Sequence, residues 1–235
     1  MAEVKRMPSL TMDEVILLVD TYFQVKDITA STIKKELIQE LSDSMRALPF
    51  FPEFKESPAF RSYSGMNMCL SRVASVDPFK ISSFGRGSTR QRRVFEYYSS
   101  RKATLHSVAN TIKVIGCLDF PILPTYEDNI MGMLLPSYYE HLEQSDKTVK
   151  NARKVVLEQG KTKCSLCGCD LEEVYLGRAN ELLEAHITLP IAQISRREKI
   201  TLSDILFLCP TCHKLAHTAP ELIEEQNLQE LVKGR

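Results

Sequence analysis

Apolar residues return every three to four positions over residues 12–25, where Val15, Leu18, Val19, Tyr22 and Phe23 share one side of a helix. Thr11 is placed to cap that helix, and Asp13 and Glu14 suit the positive end of its dipole. A second stripe, Ile33, Leu37, Leu41 and Met45, predicts a helix over 31–47 capped by Ser31 or Thr32. The run Leu48–Pro49–Phe50–Phe51–Pro52 breaks the pattern as a turn-rich linker. Further helices are predicted over 66–76 (ending ahead of Pro78), 104–113, 129–143 (bent at Pro136), 145–161 and 220–232. The period changes late in the chain. Leu182 to Ile187 and Ile205 to Leu208 are short apolar runs that read as two strands of a hairpin, joined by a long loop from Leu189 to Thr201. Pro210 then suits the first turn of a helix, and Pro220 closes the segment.

That late stretch also carries the chemistry. Cys164/Cys167 and Cys209/Cys212 are two C-x-x-C pairs, the spacing that supplies four soft ligands to a tetrahedral structural Zn2+. A pair of disulfides is the alternative, disfavoured by the spacing and by an N-terminus without an apolar signal core. Cys169, just past the first pair, reads as a spare thiol, with a swapped ligand as the alternative. His213 and His217 are four residues apart, so a helix would put both imidazoles on one face, able to share an ion. His186, on the first strand, would face His213 across a small cleft.

The combined spacing resembles the HNH endonucleases in their four-cysteine form. His186 matches the first histidine of the family pattern, with Ile187 and Pro190 following; Asp204 stands where the family has Asn; His213 matches the final histidine and His217 the additional helical ligand of some members. The resemblance implies an α+β fold: a mainly helical N-terminal domain, residues 1–150, followed by a small zinc-stapled ββα-metal module, residues 151–235. It implies metal-dependent hydrolysis of DNA phosphodiester bonds, with His186 as general base and with Asp204, His213 and His217 holding a catalytic Mg2+ or Mn2+. Two departures matter: Ala185 stands where many members have a metal ligand, with Glu184 as a substitute on the same strand face, and Asp204 replaces Asn. The alternative is a zinc-dependent DNA-binding protein that has lost catalysis.

Composition changes this picture little. The 235 residues are 43% hydrophobic, enough for one large or two small domains, and 30 basic residues balance 30 acidic ones. Charge for double-stranded DNA must therefore be local. Residues 78–103 provide it, with seven cations, Arg86, Arg90, Arg92 and Arg93 among them, against Glu96 alone. A Phe60–Arg61 pair, Gly65, a helix and Asp77–Pro78 resemble a pattern ahead of the nuclease in McrA-like HNH proteins, which implies a DNA-facing N-terminal domain. The setting implied by the resemblance is bacterial restriction or defence, with modified DNA as one target; a double-strand break would need a homodimer or two nicks. No apolar run approaches the ~18 residues of a membrane span, so the expectation is a cytoplasmic protein with reduced thiols.

Overall fold

The computed structural model describes residues 6–80, 85–196, 198–223 and 225–232. It is mainly helical, with one two-stranded sheet. Helix α1 (Met12–Val25) is its centre. Thr11 and Glu14 form a reciprocal capping box that starts it. The consecutive run Val15–Ile16–Leu17–Leu18–Val19 leaves it no polar face, and almost the whole helix is buried among its neighbours, where one apolar stripe was expected. Helices α2 (Ser31–Ala47), α3 (Tyr63–Ala74), α4 (Thr89–Tyr98) and α5 (Lys102–Ile115) pack directly on it. The inner face of α2 is Ile38, Leu41, Ser42 and Met45, while Ile33 is exposed; no side chain caps this helix. Helix α4 lies inside the basic stretch of residues 78–103, where the sequence pattern predicts no helix. A capping box between Ser88 and Gln91 starts it, and Val94, Phe95 and Tyr98 bury its inner side. Residues 81–84 of that stretch lie outside the described residues.

The Phe60–Arg61 to Asp77–Pro78 pattern turns inward. Phe60, Arg61 and Asp77 are all buried. Arg61, at a left-handed φ of 46°, donates to the Glu14 carboxylate at 2.5 and 2.8 Å and to the carbonyls of Pro8 and Ser9. Asp77 accepts from the Tyr22 hydroxyl at 2.9 Å and from Lys26 at 3.1 Å. These residues join α1 to the α3 region and are held inside the fold. Arg61→Met should therefore strand the buried Glu14 carboxylate and cost about 3–5 kcal/mol of stability, read from urea unfolding followed by circular dichroism. A loss below about 1 kcal/mol would mean that the pair contributes little.

Helix α6 (Leu134–Ser145) is positioned from α1. Asp13 accepts the backbone N–H groups of Met133 and Leu134 at 2.9–3.0 Å, capping α6 from outside its own segment. The approach is so close that a Cβ on Gly132, at φ +80°, would lie 2.4 Å from the Asp13 carboxylate. Pro136 falls in the first turn of α6, where the missing N–H costs nothing, so it marks the start of the helix and not its middle. Asp146 caps α7 (Lys147–Glu158).

Two four-residue helices, α8 (Leu171–Val174) and α9 (Ala179–Leu182), lead into strand β1 (Glu184–Ile187). It pairs antiparallel with β2 (Ile205–Leu208), Glu184 opposite Leu208 and Ile187 opposite Ile205. The connection contains a further short helix, α10 (Ile191–Ser195), that packs on α5. Strand β2 feeds α11 (Pro210–Ala216) through Cys209, and α12 (Glu225–Val232) follows. The main core runs through α1–α6 and on into Ala152, Ile187, Leu189 and Ile205. A second, small core gathers Cys164, Leu171, Leu183, Leu208 and Cys212. No helix among the described residues is long and apolar enough to cross a membrane.

Candidate metal centres and the adjoining pocket

Cys164, Cys167, Cys209 and Cys212 converge on one point at the base of the hairpin. The Cys167 and Cys209 sulfurs are 3.9 Å apart, far beyond a disulfide bond and close to the ~3.8 Å edge of a tetrahedron with 2.3 Å Zn–S bonds. The first pair is shaped by a tight turn: Gly168, at φ +70°, donates to the Cys164 carbonyl, and Cys164 donates to Cys169. The second pair straddles the start of α11, with Cys209 at its N-cap and Pro210 in its first turn. Burial opposes ionisation of the Cys164 thiol, but the backbone N–H groups around it hold its pKa below the usual value. Burial and the neighbouring sulfurs push Cys209 and Cys212 up. Four thiols packed this closely all ionise only if a cation offsets their charge, and this group could hold a metal ion such as Zn2+.

A second group of ligand atoms gathers where α6 and α11 meet β1. Glu143 of α6, His186 of β1, His213 of α11 and His217 at the end of α11 bring one donor each within 4.8 Å of one another. His213 Nε2 is 2.9 Å from Glu143 Oε2, and His217 Nε2 is 3.1 Å from the same oxygen. The two Nε2 atoms are 3.0 Å apart. His186 Nδ1 is 3.1 Å from Glu143 Oε1, which also accepts the Ile187 N–H at 3.0 Å. The outer nitrogens have acceptors of their own: His213 Nδ1 faces the Glu184 carboxylate at 2.7 Å, and His186 Nε2 faces the Ile223 carbonyl at 3.1 Å. Both nitrogens of each ring therefore face an oxygen, and a neutral ring that donates outward turns the lone pair of its inner nitrogen toward Glu143. His217 Nδ1 is buried with no partner among the described residues.

Neutral imidazoles would thus aim lone pairs at a carboxylate, an arrangement that needs a positive charge between them. Protons can supply it. Burial would raise the Glu143 pKa, but His217 and the hydrogen bonds from the three rings outweigh it and hold it far below the usual range. Burial likewise opposes charge on His213, yet Glu143 and Glu184 raise it to about 9. Burial pushes His186 down in spite of Glu143. A divalent ion meets the same requirement. The separations near 3 Å suit the ~3.3 Å edge of a tetrahedral site with bonds of 2.0–2.1 Å. Glu184 and the Ile223 carbonyl are the outer partners that orient ligating histidines.

Of the residues singled out in the sequence, His186, His213 and His217 come together, and so do the four cysteines. His186 is fully buried, with both nitrogens engaged, so its ring has no face open to a water, as a general base requires. Asp204 is not brought to the histidines. It closes a one-turn capping box, its carboxylate taking the Thr201 N–H at 2.8 Å and the Thr201 hydroxyl at 2.6 Å. Glu143 stands in the cluster in its place. Asp204→Ala should cost about 1 kcal/mol, the usual loss for a cap, and leave the metal content of the protein unchanged. A missing equivalent of metal on elemental analysis would restore Asp204 as a ligand. Arg90 is partnered, bonding Glu127, Asp128 and the Leu10 carbonyl, and Arg93 bonds the Asp128 carbonyl; Arg86, Arg92 and Arg93 are exposed.

Glu143, His213 and His217 line one side of a pocket of about 510 Å3 whose other walls include Lys150, Arg153 and Lys214. Arg153 is anchored to the Leu183 and Asn180 carbonyls, and Lys214 lies over the Tyr126 ring, 4.2 Å from its centroid. The cluster therefore opens, on its His213 side, onto a cavity that presents Lys150, Arg153 and Lys214 together with the carboxylates of Glu140 and Glu184. No family model, curated protein or solved structure matches the chain.

Proposed function

We propose that the protein is a metal-dependent phosphodiester hydrolase acting on DNA, with the pocket beside His213 as its active site. The observation that carries this reading is the placement of Glu143, His213 and His217 in the wall of a cavity that also presents Lys150, Arg153 and Lys214. The strand–strand–helix order of β1, β2 and α11 around the cysteines, which resembles an HNH module, supports it. A divalent ion at the cluster would supply Lewis-acid polarisation of a phosphoryl oxygen and of the attacking water. The chain's own contribution is positional. Glu184 orients the His213 ring, Glu143 supplies the anionic donor beside the three imidazoles, and Lys150, Arg153 and Lys214 are the groups of the wall that would attract a phosphate. Exposed Arg86, Arg92 and Arg93 offer further sites for backbone phosphates. The thiolate centre carries no part of the reaction; it secures the hairpin and α11.

One observation favours a second reading. Four protein donors already converge on the cluster, and closed sites are more often structural than catalytic. The protein would then be a DNA-binding protein with two structural ions. Incubation of the purified protein with supercoiled plasmid separates the two. The hydrolase converts it to open-circular or linear DNA, is stopped by EDTA, and is restored by added metal. Binding of plasmid without conversion under any divalent ion would overturn the hydrolase reading and leave the structural one. Running unmethylated and cytosine-methylated plasmids in parallel tests the restriction setting.

A further inference from the structure

We propose that Glu143, His186, His213 and His217 form a metal centre for a borderline first-row ion of the Zn2+ class, selective against Mg2+, and that this ion ties α6 to the cysteine-clipped hairpin. The inference deepens the hydrolase reading by naming its ion, and rests on it only for the catalytic use of that ion.

The donor set decides the class. Three imidazole nitrogens and one carboxylate suit Zn2+, Co2+, Ni2+ or Fe2+. Mg2+ demands six oxygens in an octahedron and keeps several waters, and the buried His186 and His217 side chains leave it neither. The geometry is prepared before any ion arrives. The outer nitrogens of His186 and His213 have acceptors in the Ile223 carbonyl and Glu184, so donation there would free the inward nitrogens for an ion, and Glu143 is held by the Ile187 N–H. The ligands come from separate parts of the fold. Glu143 stands on α6, whose N-terminus is fixed by Asp13 of α1, whereas the histidines belong to β1 and α11. One ion would close a loop of about 70 residues between positions 143 and 213 in the folded state only, so its binding energy is also stability.

Metal analysis of the full-length protein after loading with excess Zn2+ or Co2+ and removal of free ion tests the inference. Wild type should hold two equivalents. Glu143→Gln, which keeps the side-chain shape, and His217→Ala should each hold one, with circular dichroism unchanged. In the Co2+ form the sulfur-to-metal absorption should survive both substitutions, and only the nitrogen-ligand bands should vanish. A hundredfold excess of Mg2+ should displace neither ion. A single equivalent in wild type, or two in both variants, or displacement by Mg2+, would overturn the proposal. The two readings fail separately. A two-ion protein that cuts no DNA keeps the centre and loses the hydrolase. A one-ion protein that cuts with Mg2+ does the opposite.

Discussion

Cys209→Ser should empty both metal centres, whereas Glu143→Gln empties one. Serine is a poor ligand for a soft ion, so the cysteine centre loses a vertex, at the N-cap position of α11. The core beneath that centre is small, built around Leu171, Leu183, Leu208 and the cysteines themselves. A core of this size does not hold a fold without its metal, and structural zinc sites supply on the order of 10 kcal/mol to the domains they close. Once the hairpin opens, the pairing that sets His186 opposite Leu206 is lost, and with it the placement of His213 and His217. The helices around α1 hold most of the main core, which also takes in Ile187 and Ile205 of the hairpin, so they should stay helical while thermal unfolding of Cys209→Ser shifts to lower temperature. Elemental analysis should find less than about 0.2 equivalents of zinc. Retention of one equivalent would show that the histidine cluster stands without the cysteines and would break the proposed order of dependence.

The convergence of Cys164, Cys167, Cys209 and Cys212 was legible in the sequence because they form local pairs whose spacing is itself the signal. The hairpin and α11 were legible for a similar reason. Apolar runs of four residues and a C-x-x-C-H turn leave little freedom about where the chain reverses. Glu143 was not. It lies 43 residues ahead of His186, on a helix that sequence alone assigns to another domain. A signal was present: Leu135, Tyr139 and Glu143 fall at i, i+4 and i+8 on the buried face of α6, and a carboxylate on such a face needs a partner or an ion. Asp204 attracted a ligand role from its position before the second cysteine pair, but Thr201 three residues earlier offered it a cap, and the local contact prevailed. Arg90 shows the limit of charge counting. It sits in a basic run, yet its partners Glu127 and Asp128 arrive from a segment 37 residues away. Helix α4 was hidden by the same run, because its inner positions Val94, Phe95 and Tyr98 are few among arginines.

His213→Ala should abolish cleavage with the fold intact, and Glu184→Gln should weaken it by a smaller, measurable factor. His213 is the ligand nearest the pocket, with a side chain 12% exposed against 2% for His217 and 0% for His186. Its loss removes a donor and opens the cluster to water. The Lewis-acid contribution at such sites is several kcal/mol, which at ~1.36 kcal/mol per decade is at least about a thousandfold in rate. Glu184 touches no substrate in this scheme. It orients the His213 ring through Nδ1, and the loss of such an outer partner lowers metal affinity or rate about 10- to 100-fold. Glutamine retains the shape and an acceptor but not the charge, so the deficit in Glu184→Gln should shrink as added Zn2+ or Co2+ is raised, while that of His213→Ala should not. Lys150→Ala tests the remaining wall of the pocket. Its effect should fall on DNA affinity, with a weaker salt dependence of binding, and leave the metal content at two. Equal and metal-independent losses in Glu184→Gln and His213→Ala would place Glu184 in direct contact with the reacting groups, and the pocket would then have to be read as a two-carboxylate site.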